Sequence, residues 1–202
     1  MAIQVIPNNP QYVSAVKNFW RKMCGMGRSI NPALNNNGQK DEAAHNPSDE
    51  FFYLCFDKDE QPQVRECNVS QGKGLFIPIV AVLVSDKEKQ NASETVLDTL
   101  TTTDEGNSHH LFVELDGIPQ NPPGFKIHTD AFDVNYPNDP IWDGISQGRS
   151  RAVAGGHYLL TTPLTPGDHA VHFGGRVGPI PNGVDCIQRK YVEDITYHLK
   201  VQ

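Results

Sequence analysis

Apolar positions change their period as the chain proceeds. Tyr12, Val13, Val16, Phe19, Trp20 and Met23 recur at the spacing of one helix face. Asn9 is suited to cap that helix, Pro10 to its first turn, and Gly25 and Gly27 to its end. The stretch 31–50, with Asn35-Asn36-Asn37-Gly38, is polar and reads as an irregular loop. Phe51 to Phe56 is apolar on both parities, the mark of a strand covered on both faces. Val64–Val69 reads as its hairpin partner. Leu75–Val80 reads as a further core strand, in which Pro78 marks an edge or a bulge. Ser93–Leu100 predicts a short crossover helix with Val96, Leu97 and Leu100 on one face, capped by Asn91 with Glu94.

Beyond residue 108 the pattern is strand and turn. Leu111, Val113 and Leu115 alternate with Phe112 and Glu114 up to the turn signal Asp116-Gly117. Ile195, Tyr197, Leu199 and Val201 alternate in the same way and should share one core with them. Phe125–Val134, Val153–Thr161 and His169–Phe173 add further strands. The spacing predicts a mainly β fold, a β-sandwich of jelly-roll or immunoglobulin-like type. It should form one domain over 1–202, with the helix of 1–27 packed on it, the loop 31–50, and one crossover helix.

Composition narrows the partners. Seventeen Lys+Arg against 24 Asp+Glu give a net charge of −7, which argues against nucleic acid as the main partner. The longest apolar run, Leu75–Val84, is about half the length of a membrane helix, so no membrane insertion is expected. Met1–Val5 has neither a basic nor an apolar leader region. The chain is therefore either cytoplasmic or begins after a removed leader. Four cysteines are too sparse for a disulfide framework. Cys55 and Cys67 flank the hairpin and can pair across it, with buried free thiols as the alternative.

Two constellations carry candidate chemistry. Asp130, Asp133 and Asp139 lie in an oxygen-rich run that could hold calcium, and Asp133, Tyr136, Trp142 and Asp143 could wall a ligand site, including a carbohydrate site. His128, His157 and His169 are the candidate ligands of a metal-dependent enzyme on a cupin-like barrel. His169 and His172 differ in strand parity, so they point to opposite faces. There is no nucleophile elbow, phosphate loop or dinucleotide fingerprint.

The ordered motifs add a resemblance. Phe52-Tyr53-Leu54, Arg65-Glu66-Cys67, Gly72-Lys73-Gly74, Asp116-Gly117, Gly155-Gly156-His157-Tyr158, Pro163-Leu164-Thr165-Pro166-Gly167-Asp168-His169 and Thr196-Tyr197-His198-Leu199 follow one another along nearly the whole chain. This order resembles a largely uncharacterised family of bacterial and archaeal exported proteins. The resemblance implies an extracytoplasmic home and brings no catalytic residue. That family often has a cysteine where this chain has Lys40-Asp41. If that cysteine normally pairs with the equivalent of Cys67, the bond is lost here or moved to Cys55 or Cys24. The functional expectation is a non-enzymatic exported or cell-surface binding or structural module. It needs no cofactor unless calcium, and its ligand is a carbohydrate or a protein. The metal-dependent enzyme is the alternative.

Overall fold

The computed structural model describes residues 3–6, 10–34, 37–57, 62–121, 125–178 and 191–202. Strand exceeds helix, 43% against 21%, and the fold is a mainly β sandwich with few helices. In chain order the elements are α1 (Pro10–Gly25), α2 (Gln39–Ala44), β1 (Phe51–Tyr53), β2 (Gln63–Val69), β3 (Gly74–Ser85), α3 (Glu94–Gly106), β4 (Ser108–Leu115), β5 (Ile118–Pro119), β6 (Lys126–His128), β7 (Phe132–Tyr136), β8 (Gly148–Leu160), β9 (Gly167–Val177) and β10 (Tyr191–Val201).

Sheet I runs β1-β3-β8-β6, with β7 also paired to β8; sheet II runs β2-β10-β9-β4-β5. Both sheets are mixed. β1 pairs with β3 and β2 with β10 in parallel, and the other pairs are antiparallel. The hairpin expected between 51–56 and 64–69 therefore does not form. β1 and β2 belong to different sheets. Their patterns already differ: β1 has no exposed residue, whereas β2 alternates strictly between buried and exposed from Val64 onward. A strand covered on both faces and one with a wet face have different neighbours.

Pro78 sits at a bulge in the central strand β3, where the register with β8 shifts between Pro78 and Val80. The bulge switches the inward parity. Leu75, Ile77 and Ile79 pack against sheet II in the core that also holds Val113, Leu115, Val171, Phe173, Ile195, Tyr197, Leu199 and Val201, with Leu111 at its margin. Past the bulge, Val80, Val82 and Val84 pack with Leu97 of α3, Val153 and Val177. The inner face of sheet I is thus shared between sheet II and α3.

The other face of sheet I belongs to α1. Tyr12, Val16, Phe19, Trp20 and Met23 are all buried there with Phe76, Tyr158 and Leu160. The Phe19 and Phe76 rings stack at 4.9 Å, and Trp20 Nε1–H donates to Tyr158 Oη at 3.1 Å. Each such side chain contributes roughly 1.5–3 kcal/mol through burial. α1 begins at Pro10 as expected; Asn9, its expected cap, lies outside the described residues.

α3 departs from expectation at both ends. Its N-cap is Ser93, whose side chain accepts from Val96 N–H, and it continues to Gly106. Asn91 instead takes φ 65° in the preceding turn. The loop 31–50 contains the six-residue α2. That helix covers the edge of sheet II: Glu66 N–H bonds Asn37 O at 2.9 Å, and Glu42 Oε1 accepts from the Asn68 backbone N–H. An otherwise open parallel edge strand is protected in this way.

Candidate functional site

The acidic run is divided among separate cations. Asp130 pairs with Lys17 at 2.5 Å, Asp133 with Arg149 at 2.6 Å and Arg151 at 3.7 Å, and Asp143 with Arg28. Asp139 accepts Arg28 N–H through its backbone oxygen at 3.1 Å. Among the described residues no group of three or more His, Cys, Asp or Glu is arranged to hold a metal ion. The aromatic residues of this loop face inward. Tyr136 is 2% exposed, and its hydroxyl donates to Ser85 Oγ at 3.2 Å. Trp142 is half-buried, 6.3 Å from the Trp20 ring and 6.1 Å from the Tyr136 ring. These rings pack on the α1 core, over the end of α1.

The three candidate histidines do not converge. His169 is alone at the start of β9, held between Asp116 Oδ2 at 2.8 Å and Thr165 O at 2.9 Å. His128 and His157 stand on paired strands, β6 and β8, with Lys126 opposite His157 and His128 opposite Gly155. Among the described residues the strands form two sheets and no closed barrel, unlike the expected cupin-like scaffold.

α3 completes a charged cluster above this edge. His128 Nδ1 lies 2.7 Å from Glu105 Oε1, and its Nε2 lies 2.9 Å from Asp98 Oδ1. Lys126 Nζ stands 3.4 Å from Glu105 Oε2. Burial works against the imidazolium, but the two carboxylates outweigh it and raise the His128 pKa above its ordinary value. His157 behaves oppositely: burial, then the Lys126 charge, push its pKa down to about 4. Its Nδ1 is buried with no hydrogen-bond partner. A Cβ at 155 would overlap the Glu105 carboxylate, so any larger residue there obliges Glu105 to shift. Gly156 itself takes φ 130°, a conformation suited to glycine. Chemically the cluster can exchange a proton on His128. It offers no nucleophile and no set of metal ligands.

A second charged cluster is sealed. Arg65 projects inward from β2 and is 0% exposed. Its Nη1 donates to Tyr197 Oη at 2.7 Å and to Cys55 O at 3.0 Å, and Nη2 reaches Phe56 O at 3.4 Å. Asp41 of α2 lies 3.9 Å away and accepts from Tyr197 Oη–H at 3.0 Å. Nearby, Glu193 Oε1 accepts Asp57 N–H at 2.7 Å. Burial holds Tyr197 and Cys55 neutral by raising their pKa values. The cluster ties α2 and the chain after β1 to sheet II, and it is closed to solvent.

The expected Cys55–Cys67 bridge is not formed. Cys24, Cys55 and Cys67 are buried free thiols. Cys55 Sγ faces Met23 Sδ at 3.3 Å, and Cys67 Sγ faces Gly38 O at 3.3 Å. Cys55 follows β1 of sheet I and Cys67 lies within β2 of sheet II, which is why flanking the same segment does not bring them together. Cys186 lies outside the described residues.

Sequence reading missed Arg65, Asp41, Glu105 and Asp98. Two signals were present. Arg65 shares the inward parity of Cys67 and Val69, and an arginine at a core parity needs an internal acid. Glu105 lies four residues from Thr101 and eight from Leu97, on the buried face of α3.

The outer face of sheet II remains. Adjacent strands align Val64, Thr196, His172 and Glu114 across it, and Glu66 with His198 and Ala170. Val64 is 64% exposed. Phe112 lies across Gly174, where a Cβ would crowd its ring, and meets His172 edge-on at 4.7 Å. His172 Nε2 pairs with Asp194 at 2.9 Å.

No family model and no curated protein matches the chain. Among solved structures, the solution structure of Amebosin aligns over 74% of this chain and 96% of its own, at 11% identity and a TM-score of 0.22. So remote a likeness carries no argument about fold or activity.

Proposed function

We propose that the chain is a non-enzymatic, extracytoplasmic binding module that holds a protein partner on the outer face of sheet II. One observation supports this reading: the sheets are covered unequally. Sheet I carries α1 on one face and shares the other between sheet II and α3. Among the described residues, no element packs over the outer face of sheet II. That face holds Glu66, Glu114, Asp168 and Asp194 against Lys200 and Arg176, with Val64 and Phe112 between them. An acidic surface with apolar points fits a basic and partly apolar protein surface. One half-buried phenylalanine is a small platform for a sugar, so a protein is the better occupant.

The resemblance to exported proteins supports the extracytoplasmic placement. The free thiols are compatible with it, because burial raises all three and keeps them unreactive. The test is an NMR titration of the full chain with a 20-residue polylysine as the basic probe. Amide shifts should concentrate at Glu66, Glu114, Asp168 and Asp194. The double variant Glu66→Lys, Glu114→Lys should weaken binding at least about tenfold. Shifts spread evenly over all acidic surfaces, or centred on α3, would defeat the reading.

A further inference from the structure

A groove of about 500 Å³ lies between the C-terminal half of α1 and the end of α2, lined by Arg21, Lys22, Met26, Ile30, Ala43 and Ala44 among others. That size is within the range of small-molecule sites, about 300–1,000 Å³. We infer that this groove binds a small amphipathic carboxylate, its apolar tail on Met26, Ile30, Ala43 and Ala44 and its carboxylate on Arg21. The inference is independent of the sheet II reading and shares no residue with it.

Two observations support the occupant. The first is apolar. Ile30 is 59% exposed, and of the large hydrophobic residues left exposed it is the one lining this groove. Its side chain gains by covering, and Met26 beside it adapts to irregular shapes. The second is the charge. Lys22 is already paired with the Asp49 carboxylate and donates to Ala44 O at 3.0 Å. Arg21 is different. Its Nη1 donates to the Asn18 amide oxygen at 3.2 Å, its Nε reaches Asp133 O at 3.4 Å, and it lies over the Phe132 ring at 5.5 Å. These partners are neutral, and among the described residues no carboxylate lies within ion-pair distance of it. They hold the guanidinium in place without pairing it to a carboxylate; its charge acts on the Phe132 ring face and, at longer range, on Asp133. An anchored cation in the lining of a largely apolar trough matches a ligand with one negative head and one apolar tail.

The test is methyl and amide NMR of the full chain with sodium octanoate. Octanol is the chargeless analogue and inorganic phosphate the tailless one. Octanoate should move the Ile30 and Met26 methyl signals along a saturating curve, and both analogues should bind about tenfold more weakly or worse. Arg21→Gln should cost about tenfold in octanoate affinity with unchanged signal dispersion. Arg21→Lys, which retains the charge, should keep most of the affinity. Unmoved Ile30 and Met26 methyls, equal binding of octanol, or full octanoate affinity in Arg21→Gln would each overturn the inference. None of these outcomes bears on the polylysine titration of sheet II.

Discussion

The two charged clusters use similar residue types in different surroundings. Around Arg65 the guanidinium, Asp41 and Tyr197 are sealed between α2, the chain after β1 and sheet II. Around His128 a buried carboxylate, Glu105, meets a side chain that is 31% exposed and a second carboxylate, Asp98, that is 59% exposed. In the first, every charge was removed from water when the chain folded, and the cluster stands or falls as a unit. In the second, water reaches one end, so a proton can enter and leave without unfolding the sheet. A sealed cluster fixes structure; a half-open one responds to its medium.

The largest expected effect breaks the sealed cluster. Arg65→Met leaves Asp41 buried without its cation and should cost about 3–5 kcal/mol in urea unfolding. Arg65→Met combined with Asp41→Asn removes both charges and should recover much of that loss. If the single variant loses less than about 1 kcal/mol, the cluster is not the rigid unit described.

The contrast also marks what the sequence could show. The alternating strands at 111–115 and 195–201 were legible because one face of each is buried, and their inward residues share one core. The helix of 10–25 was legible for the same reason at helical period. Strand pairing was not. Neighbouring strands in sequence usually pair, but β1 and β2 part into two sheets, and proximity in sequence then misplaces Cys55 and Cys67. Sites built from distant segments were hidden more deeply. Glu105 and His128 are separated by 23 residues, and only the packing of α3 on the sheet I edge joins them. The aspartates of 130–143 looked like metal ligands because their cations, Lys17, Arg28, Arg149 and Arg151, lie elsewhere along the chain.

A second test concerns His157, at the inner margin of the half-open cluster. Its folded pKa is depressed to about 4 from an ordinary 6.5. The folded state therefore stays neutral where the unfolded chain takes up a proton. Its contribution is present in full above pH 6.5 and is lost as pH falls toward 4, to the extent of about 3 kcal/mol. Unfolding free energies between pH 7 and 4 should show this slope, and His157→Phe should flatten it. An unchanged slope in the variant would assign the acid sensitivity to other groups.

A smaller effect is expected from the glycine under Glu105. Gly155→Ala places a methyl where the carboxylate lies, so Glu105 must move away from His128 and Lys126. The cost should be about 1–3 kcal/mol, with faster amide exchange in α3 than in α1. Pairing it with Glu105→Ala should return part of the loss, since the clash is then gone. Equal exchange in both helices would mean that the cluster does not anchor α3.

The smallest effect separates the two clusters most sharply. His128 has a raised folded pKa because Asp98 and Glu105 hold its charged form against the penalty of burial. A raised histidine stabilises the fold fully below its unfolded pKa of about 6.5 and loses that contribution as pH rises through the higher folded value. The direction is opposite to that of His157, although the two residues lie on adjacent strands. His128→Gln removes the charge and keeps a side chain that can hydrogen-bond. It should cost about 1 kcal/mol at pH 6 and less at pH 8.5. NMR titration of the His128 ring gives the midpoint directly, and amide exchange in α3 should quicken above that midpoint while the exchange of Tyr197 and Arg65 stays constant. The open cluster would then respond to pH and the sealed one would not. A His128 midpoint below 6.5, or protection of both clusters changing together, would remove the distinction between them.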